Sequence, residues 1–171
     1  MLEARAALNS IRESIAQTSD LADELRQVAD SVVPSPSTSV SFSVSGTLPV
    51  FHPIVRDEVC SIGSEAIRNA LAHSKTQQLL VTLAFERDLT LRVHDDGVGI
   101  EADILAGGKD GHFGLQGMRE RAARIGAKFT IQSAIGTGTD VTIVVPRSLV
   151  FKNGLRRSPK LDRAETSRKS D

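Results

Sequence analysis

Apolar and polar positions along this chain change their spacing several times, and each change marks an element. From the start, Ala4, Leu8, Ile11, Ile15, Thr18, Ala22, Leu25, Ala29 and Val32 follow steps of four and three. That is the seam of a packed or coiled helix, and it needs a partner surface: a second helix of the chain or another subunit. An ordinary core-facing helix is the alternative. Thr18-Ser19-Asp20 is placed to cap a second helix over Leu21–Val33. Prolines and serines then make a linker at about 34–39. SVSFSVSG (Ser39–Gly46) alternates Val40, Phe42 and Val44 with serine, as a half-buried strand does. Pro53 opens a helix whose apolar positions Val55, Val59, Ile62, Ala66 and Ala70 carry it to about His73.

Two strand-like runs follow, Leu79–Phe85 and Leu89–Asp95, joined by Glu86-Arg87-Asp88. A glycine-rich loop spans Gly97–Gly114, and a helix over Leu115–Ile125 turns Leu115, Met118, Ala122 and Ile125 inward and stops at Gly126. The last strands, Lys128–Ser133 and Thr139–Val145, flank AIGTG. The tail from Arg147 has eight basic and three acidic residues and little apolar content, so it reads as disordered, residues 147–171. A basic anchor is the sharper alternative.

Composition narrows the function classes. A length of 171 residues allows one ordinary domain plus appendages, and 40% hydrophobic with 25% charged residues is the balance of a soluble globular protein. Zero formal net charge and the absence of Trp and Tyr argue against nucleic acid as a partner. Cys60 is alone, which excludes a disulfide framework, and Val59 and Ile62 beside it mark a small buried hydrophobe. The start carries no apolar signal region and no run of 18 apolar residues occurs, so the chain is expected to be cytoplasmic with no membrane segment.

Four places carry candidate chemistry. Glu65, Asn69 and His73 are four apart on the long helix, so at roughly 100° per residue each advances about 40° and the three form a polar stripe beside the apolar arc. The plain alternative is a solvated helix edge. DDGVGI (Asp95–Ile100) sets a carboxylate at a strand end, where Asp95 could accept from an exocyclic amine and Gly97 and Gly99 let the backbone approach a flat ligand. A strand-ending turn needs glycines too, while the spacing of a calcium loop is missing. GHFGLQGMRER (Gly111–Arg121) runs glycines into a helix N-terminus, which favours phosphate but is neither of the standard nucleotide-loop patterns. GTGTD (Gly136–Asp140) is most simply a hairpin turn.

In that order and spacing the chain resembles the GHKL ATPase/kinase superfamily over about Leu21–Pro146. EAIRNALAH (Glu65–His73) matches its N box, DDGVGI its G1 box, GHFGLQGMRER its G2 box and GTGT its last conserved loop. The GLQGMRERA phrasing is most similar to sensor histidine kinases that work with helix-turn-helix response regulators. The resemblance implies a Bergerat-type two-layer α/β sandwich, a mixed sheet with helices on one face, over residues 20–146. It implies ATP and Mg²⁺ as cofactors. Asn69 would hold Mg²⁺, and Glu65 would act as catalytic base or orienter. His73, Gly97, Gly99 and Ile100 belong to the nucleotide motifs, with Asp95 on the adenine amine and Thr139 hydrogen-bonding near it. Gly111, Gly114 and Leu115 would edge the lid over the phosphates. The activity implied is phosphoryl transfer in two-component signal transduction.

The chain departs from the pattern at Ala72, where relatives commonly carry Lys or Arg, with Lys75 nearby but not equivalent. None of His52, His73, His94 and His112 has the context of a phospho-acceptor, and residues 1–19 look like the second helix of a dimerisation hairpin without its first. The expectation is therefore an ATP-binding kinase domain whose acceptor histidine lies elsewhere. Its partners would be a response regulator or an intact histidine kinase, or a second copy paired through the N-terminal helix. Alternatives are a non-catalytic ATP-binding regulator and an anti-sigma-type serine kinase.

Overall fold

A computed structural model describes residues 21–32, 37–47, 50–105 and 113–151. Helix α1 covers 21–31, and the elements after it are β1 (Ser39–Gly46), α2 (Pro53–His73), β2 (Gln78–Phe85), β3 (Leu89–Asp95), α3 (Ala102–Leu105), α4 (Phe113–Arg124), β4 (Lys128–Ser133), β5 (Thr139–Val145) and α5 (Arg147–Val150). The strands form one sheet in the order β1-β2-β3-β5-β4, with β1 parallel to β2 and every other pair antiparallel. A parallel neighbour needs a crossover, and α2 is that crossover.

The strands alternate as their sequences do. Leu79, Val81, Leu83 and Phe85 are buried, as are Leu89, Leu91, Val93 and Asp95, and Val141, Ile143 and Val145 on β5. This face meets Val55, Val59, Ile62, Ala66, Ile67 and Ala70 of α2 and Met118, Ala122 and Ile125 near α4. Each fully buried side chain of this size contributes about 1.5–3 kcal/mol of transfer free energy. The architecture is the expected mixed sheet with helices on one face.

Local chemistry sets the helix ends. Pro53 stands at the first position of α2, where its missing N–H costs nothing, and the His52 ring nitrogen Nδ1 accepts from the Ile54 amide at 3.3 Å. α4 ends in a Schellman pair: the Ala127 amide donates to the Ala122 carbonyl and the Gly126 amide to the Ala123 carbonyl, with Gly126 at φ +66°. Glu58 of α2 is buried and accepts from Arg121 at 3.2 Å and Arg124 at 2.6 Å, fastening α2 to α4.

Two expectations are revised and one open choice is decided. The described part of the N-terminal seam is the core-facing helix of the two alternatives: Leu21, Ala22, Leu25 and Ala29 are buried, and Arg56 pairs with Glu24 at 2.7 Å. A Cβ on Gly63 would lie 2.8 Å from a Leu25 methyl and 2.7 Å from a Leu91 methyl, so α1 packs closely on α2 at this glycine. The dimerisation-type helix over 1–19 lies outside the described residues. The tail does not lose structure at Arg147, because Val150 is fully buried and its carbonyl accepts from the His52 amide at 2.8 Å. The apolar run Leu149-Val150-Phe151 gives these first residues something to bury, whereas the remainder, 152–171, is outside the described residues. Finally, the glycine-rich loop contains the short helix α3, and α4 runs Phe113–Arg124, two residues earlier at its start than its apolar period indicated.

Candidate functional site

The sheet register assembles the site. Leu79 pairs with Asp95, Asp95 with Thr139, and Thr139 with Ser133, so these residues form one row across four strands. Side chains in a row share a face, and this row lies on the face under the helices. α2 crosses above it and presents Glu65, Asn69 and His73 on the side toward the same space. The result is a cavity of about 680 Å³ lined by Glu65, Asn69, His73, Asp95, Gly99, Ile100, Gly114, Leu115 and Thr139, with Val93, Val141 and Met118 among its apolar walls. A pocket of that size with a few polar groups on an apolar lining suits a flat organic ligand.

Asp95 is only 4% exposed. Its Oδ1 accepts from the Gly97 amide at 2.9 Å, and burial pushes its carboxyl above the usual carboxylate range, against the opposing pull of the Gly97 amide and the Ser74 hydroxyl. Such a group gains from a ligand that donates to it. The glycines around it are spatial requirements. A Cβ on Gly97 would fall 2.3 Å from the Ser74 carbonyl oxygen. Gly138 has φ +78°, and a Cβ there would fall 1.9 Å from the Asp95 carbonyl oxygen.

On α2, Glu65 and Asn69 are partly buried and His73 is exposed at the cavity rim. A Cβ on Gly114 would come within 2.3 Å of Glu65 Oε1 and 3.5 Å of Asn69 Nδ2, so the first turn of α4 is laid against these two polar groups. Glu65 receives Arg68 at 3.5 Å and also borders a second groove of about 730 Å³ flanked by α1, α2 and α4. Gly97 is buried beside Ser74. Gly111 lies outside the described residues. Neither Ala72 nor Lys75 lines the cavity.

Three supporting residues were not singled out from the sequence. Asp96 Oδ1 accepts from the Thr76 hydroxyl at 2.7 Å and from the Gln77 and Gln78 amides at 2.8 Å, contacts that hold its carboxyl below the usual range and tie the start of β2 to the Asp95 loop. Ser74 gives its carbonyl to the Val98 amide at 2.8 Å. Ser133 Oγ accepts from the Ile100 amide at 2.8 Å and donates to the Gly138 carbonyl at 2.7 Å. Asp96 stands next to a candidate ligand and was discoverable; a serine at the end of β4 has no local signal. Cys60 is buried, and burial pushes its thiol up to about 12, so it serves as packing.

A helix with a polar stripe, a buried carboxylate with its glycines and the first turn of α4 laid against Glu65 share one cavity, the layout of a nucleotide-binding ATPase-type domain. Residues 55–149 match the histidine kinase-, DNA gyrase B- and HSP90-like ATPase family, and the chain belongs to that family. It is similar to the signal transduction histidine-protein kinase/phosphatase DegS of Bacillus subtilis, 37% identical over 89 residues, 52% of this chain and 23% of that protein. It is also similar to the sensor histidine kinase LiaS of the same organism, 29% identical over 145 residues, 84% of this chain and 39% of that protein. The sensor protein VraS of Staphylococcus saprophyticus is 38% identical over 94 residues, 54% of this chain and 26% of that protein. The chain thus spans well under half the length of these relatives. Among solved structures, the histidine kinase domain from the Erythrobacter litoralis EL346 blue-light activated kinase superposes with a TM-score of 0.56 at 25% identity, covering 76% of this chain and 64% of that one. The ATP binding domain of PrrB from Mycobacterium tuberculosis shares the fold, with a TM-score of 0.59 at 18% identity over 75% of this chain and 93% of that one. Among the described residues no helix is long and apolar enough to cross a membrane.

Proposed function

We propose that this chain is the ATP-binding catalytic domain of a sensor histidine kinase, transferring the γ-phosphoryl group of ATP to a protein histidine in two-component signalling. The observation that carries the reading is the placement of a buried Asp95 in the same cavity as Glu65 and Asn69. One end of the cavity recognises an amine-bearing base; the other turns the N-terminal amides of α4 to phosphates, with the Asn69 amide oxygen for a cation and the Glu65 carboxylate for the attacking group.

In this reading Asp95 accepts from the adenine amine, and Gly97, Gly99 and Ile100 leave room for the ring. Gly114 and Leu115 edge the phosphate end, with His73 at the rim. Asn69 supplies an amide oxygen for Mg²⁺. The donor set fits that ion: among the described residues no three His, Cys, Asp or Glu side chains converge, and Mg²⁺ is usually held by one or two protein oxygens plus phosphates and water. When bound, the ion neutralises phosphate charge. Glu65 orients or deprotonates the attacking imidazole, and its place between the cavity and the second groove gives an acceptor helix a route to the phosphates. The protein's share of the chemistry is positioning and charge stabilisation.

The acceptor comes from another helix. His52 caps α2, His94 lies in β3 and His73 ends α2, which leaves these three committed to the domain. The natural setting is the cytoplasm, with a response regulator downstream and an intact kinase or second copy as the source of the acceptor. The test is titration calorimetry with ATP and Mg²⁺, followed by phosphoryl transfer to an added acceptor-helix domain. Asn69→Ala and Asp95→Ala should each largely abolish binding, and the chain alone should gain no acid-labile phosphate. Affinity like that of the wild type in both variants, or strong self-labelling on a histidine, would refute the assignment.

A further inference from the structure

Ser133 makes three polar contacts, and their donors and acceptors can be assigned from chemistry alone. A hydroxyl carries one hydrogen and two lone pairs. The Gly138 carbonyl can only accept, so the Ser133 hydrogen goes to it, at 2.7 Å. The Ile100 amide can only donate, so it takes one Ser133 lone pair, at 2.8 Å. The remaining contact, 3.0 Å to Thr139 Oγ1, has no hydrogen left on the serine side, so Thr139 must be its donor.

That assignment has a consequence inside the cavity. With its hydrogen turned to Ser133, Thr139 presents only lone pairs to the ligand. Asp95, its neighbour in the same row of the sheet, is also an acceptor. Two adjacent acceptors suit an exocyclic amine, which has two hydrogens to give, and they repel a carbonyl oxygen at the same position. Ser133 also holds Ile100, and the Gly136 amide reaches the Val98 carbonyl at 2.8 Å, so the loop beside the base and the β4–β5 turn are joined at two points.

We infer that Ser133 is a positioning residue for base selection: by fixing the direction of the Thr139 hydroxyl, it makes the site prefer an amino-purine nucleotide over a keto-purine nucleotide. The inference rests on the nucleotide site proposed above. Without the Ser133 oxygen, Thr139 loses its acceptor and turns its hydrogen into the cavity, where a carbonyl is tolerated.

The experiment compares ATP and GTP affinities, each with Mg²⁺, for the full chain carrying Ser133→Thr, Ser133→Val or Ser133→Ala. Thr and Val have nearly the same shape and both suit a strand, so they differ mainly in the hydroxyl. Ser133→Thr should keep the wild-type preference. Ser133→Val should weaken ATP about 10-fold and leave GTP within about 3-fold, and the Ile100 amide should exchange with solvent faster. Ser133→Ala decides the matter if the Val variant fails to fold. Thr137→Ala is the control, since among the described residues the Thr137 hydroxyl donates to the Ala134 carbonyl within the turn, and it should change neither affinity. Parallel loss of ATP and GTP, or an unchanged preference without the hydroxyl, would overturn the inference while leaving the nucleotide site standing. A wild-type chain that binds no ATP would overturn both.

Discussion

Gly136 and Gly138 lie two residues apart in the β4–β5 turn with nearly equal backbone angles, φ +79° and +78°, yet their surroundings differ. A Cβ on Gly136 meets nothing within 4 Å. A Cβ on Gly138 would sit 1.9 Å from the Asp95 carbonyl oxygen and 2.9 Å from the Asp96 Cα, both backbone atoms that cannot rotate away. Alanine at either position bears the left-handed conformation, about 1–2 kcal/mol. Only Gly138→Ala adds overlap, and forcing a carbon into packed backbone costs a further 1–3 kcal/mol or so. Gly136→Ala should therefore lower the midpoint of thermal unfolding by about 3–8 °C and leave ATP affinity within about 3-fold. Gly138→Ala should lower it by roughly twice as much. It should also weaken ATP by more than 10-fold, because relief of the overlap moves Asp95 and Thr139 apart. Scanning calorimetry and ATP titration on the two variants give both quantities. Equal losses of stability and affinity in the pair would refute the claim that Gly138 is required by contact with Asp95.

Asp95 yields a pH prediction. Its folded-state pKa is raised, so its ionised form is a net cost above the raised value, and that cost is withdrawn as pH falls through it toward the ordinary carboxylate value of about 4. Asp95→Asn should then melt higher than wild type near pH 7, with the gap closing as pH falls toward 4, while ATP binding is lost; a variant less stable at pH 7 would contradict the burial argument. The Glu58 cluster predicts an asymmetry. Glu58→Ala leaves two arginines whose side chains are 45% and 62% exposed and can return to water, so urea unfolding should show a loss of about 1 kcal/mol. Replacing Arg121 and Arg124 together by Met leaves a buried carboxylate unpaired and should cost about 3 kcal/mol; equal losses would mean that the ion pair does not fasten α2 to α4.

The amino-acid sequence alone determined most element boundaries and the polar groups of the cavity. Alternation in Ser39–Gly46 and Thr139–Val145, the Pro53 start and the Gly126 stop are local signals, legible because they depend on neighbours within a turn or a pleat. Asn69 stood out because a polar group bordering an apolar face is costly unless something satisfies it, and Asp95 because it ends a strand just before Gly-x-Gly. Tertiary structure decided how these pieces meet. The parallel placement of β1 beside β2, the pairing of Glu58 with arginines 63 and 66 residues away, and the docking of Val150 under His52 depend on packing that no local period records. Ser133 shows the reason most clearly. Its sequence setting resembles that of the serines in β1, and only the register across β4, β5 and β3 sets it in one row with Thr139 and Asp95. A single-residue slip of any one of these strands would turn its member of the row to the other face, so the site exists only once the sheet has closed its pairing.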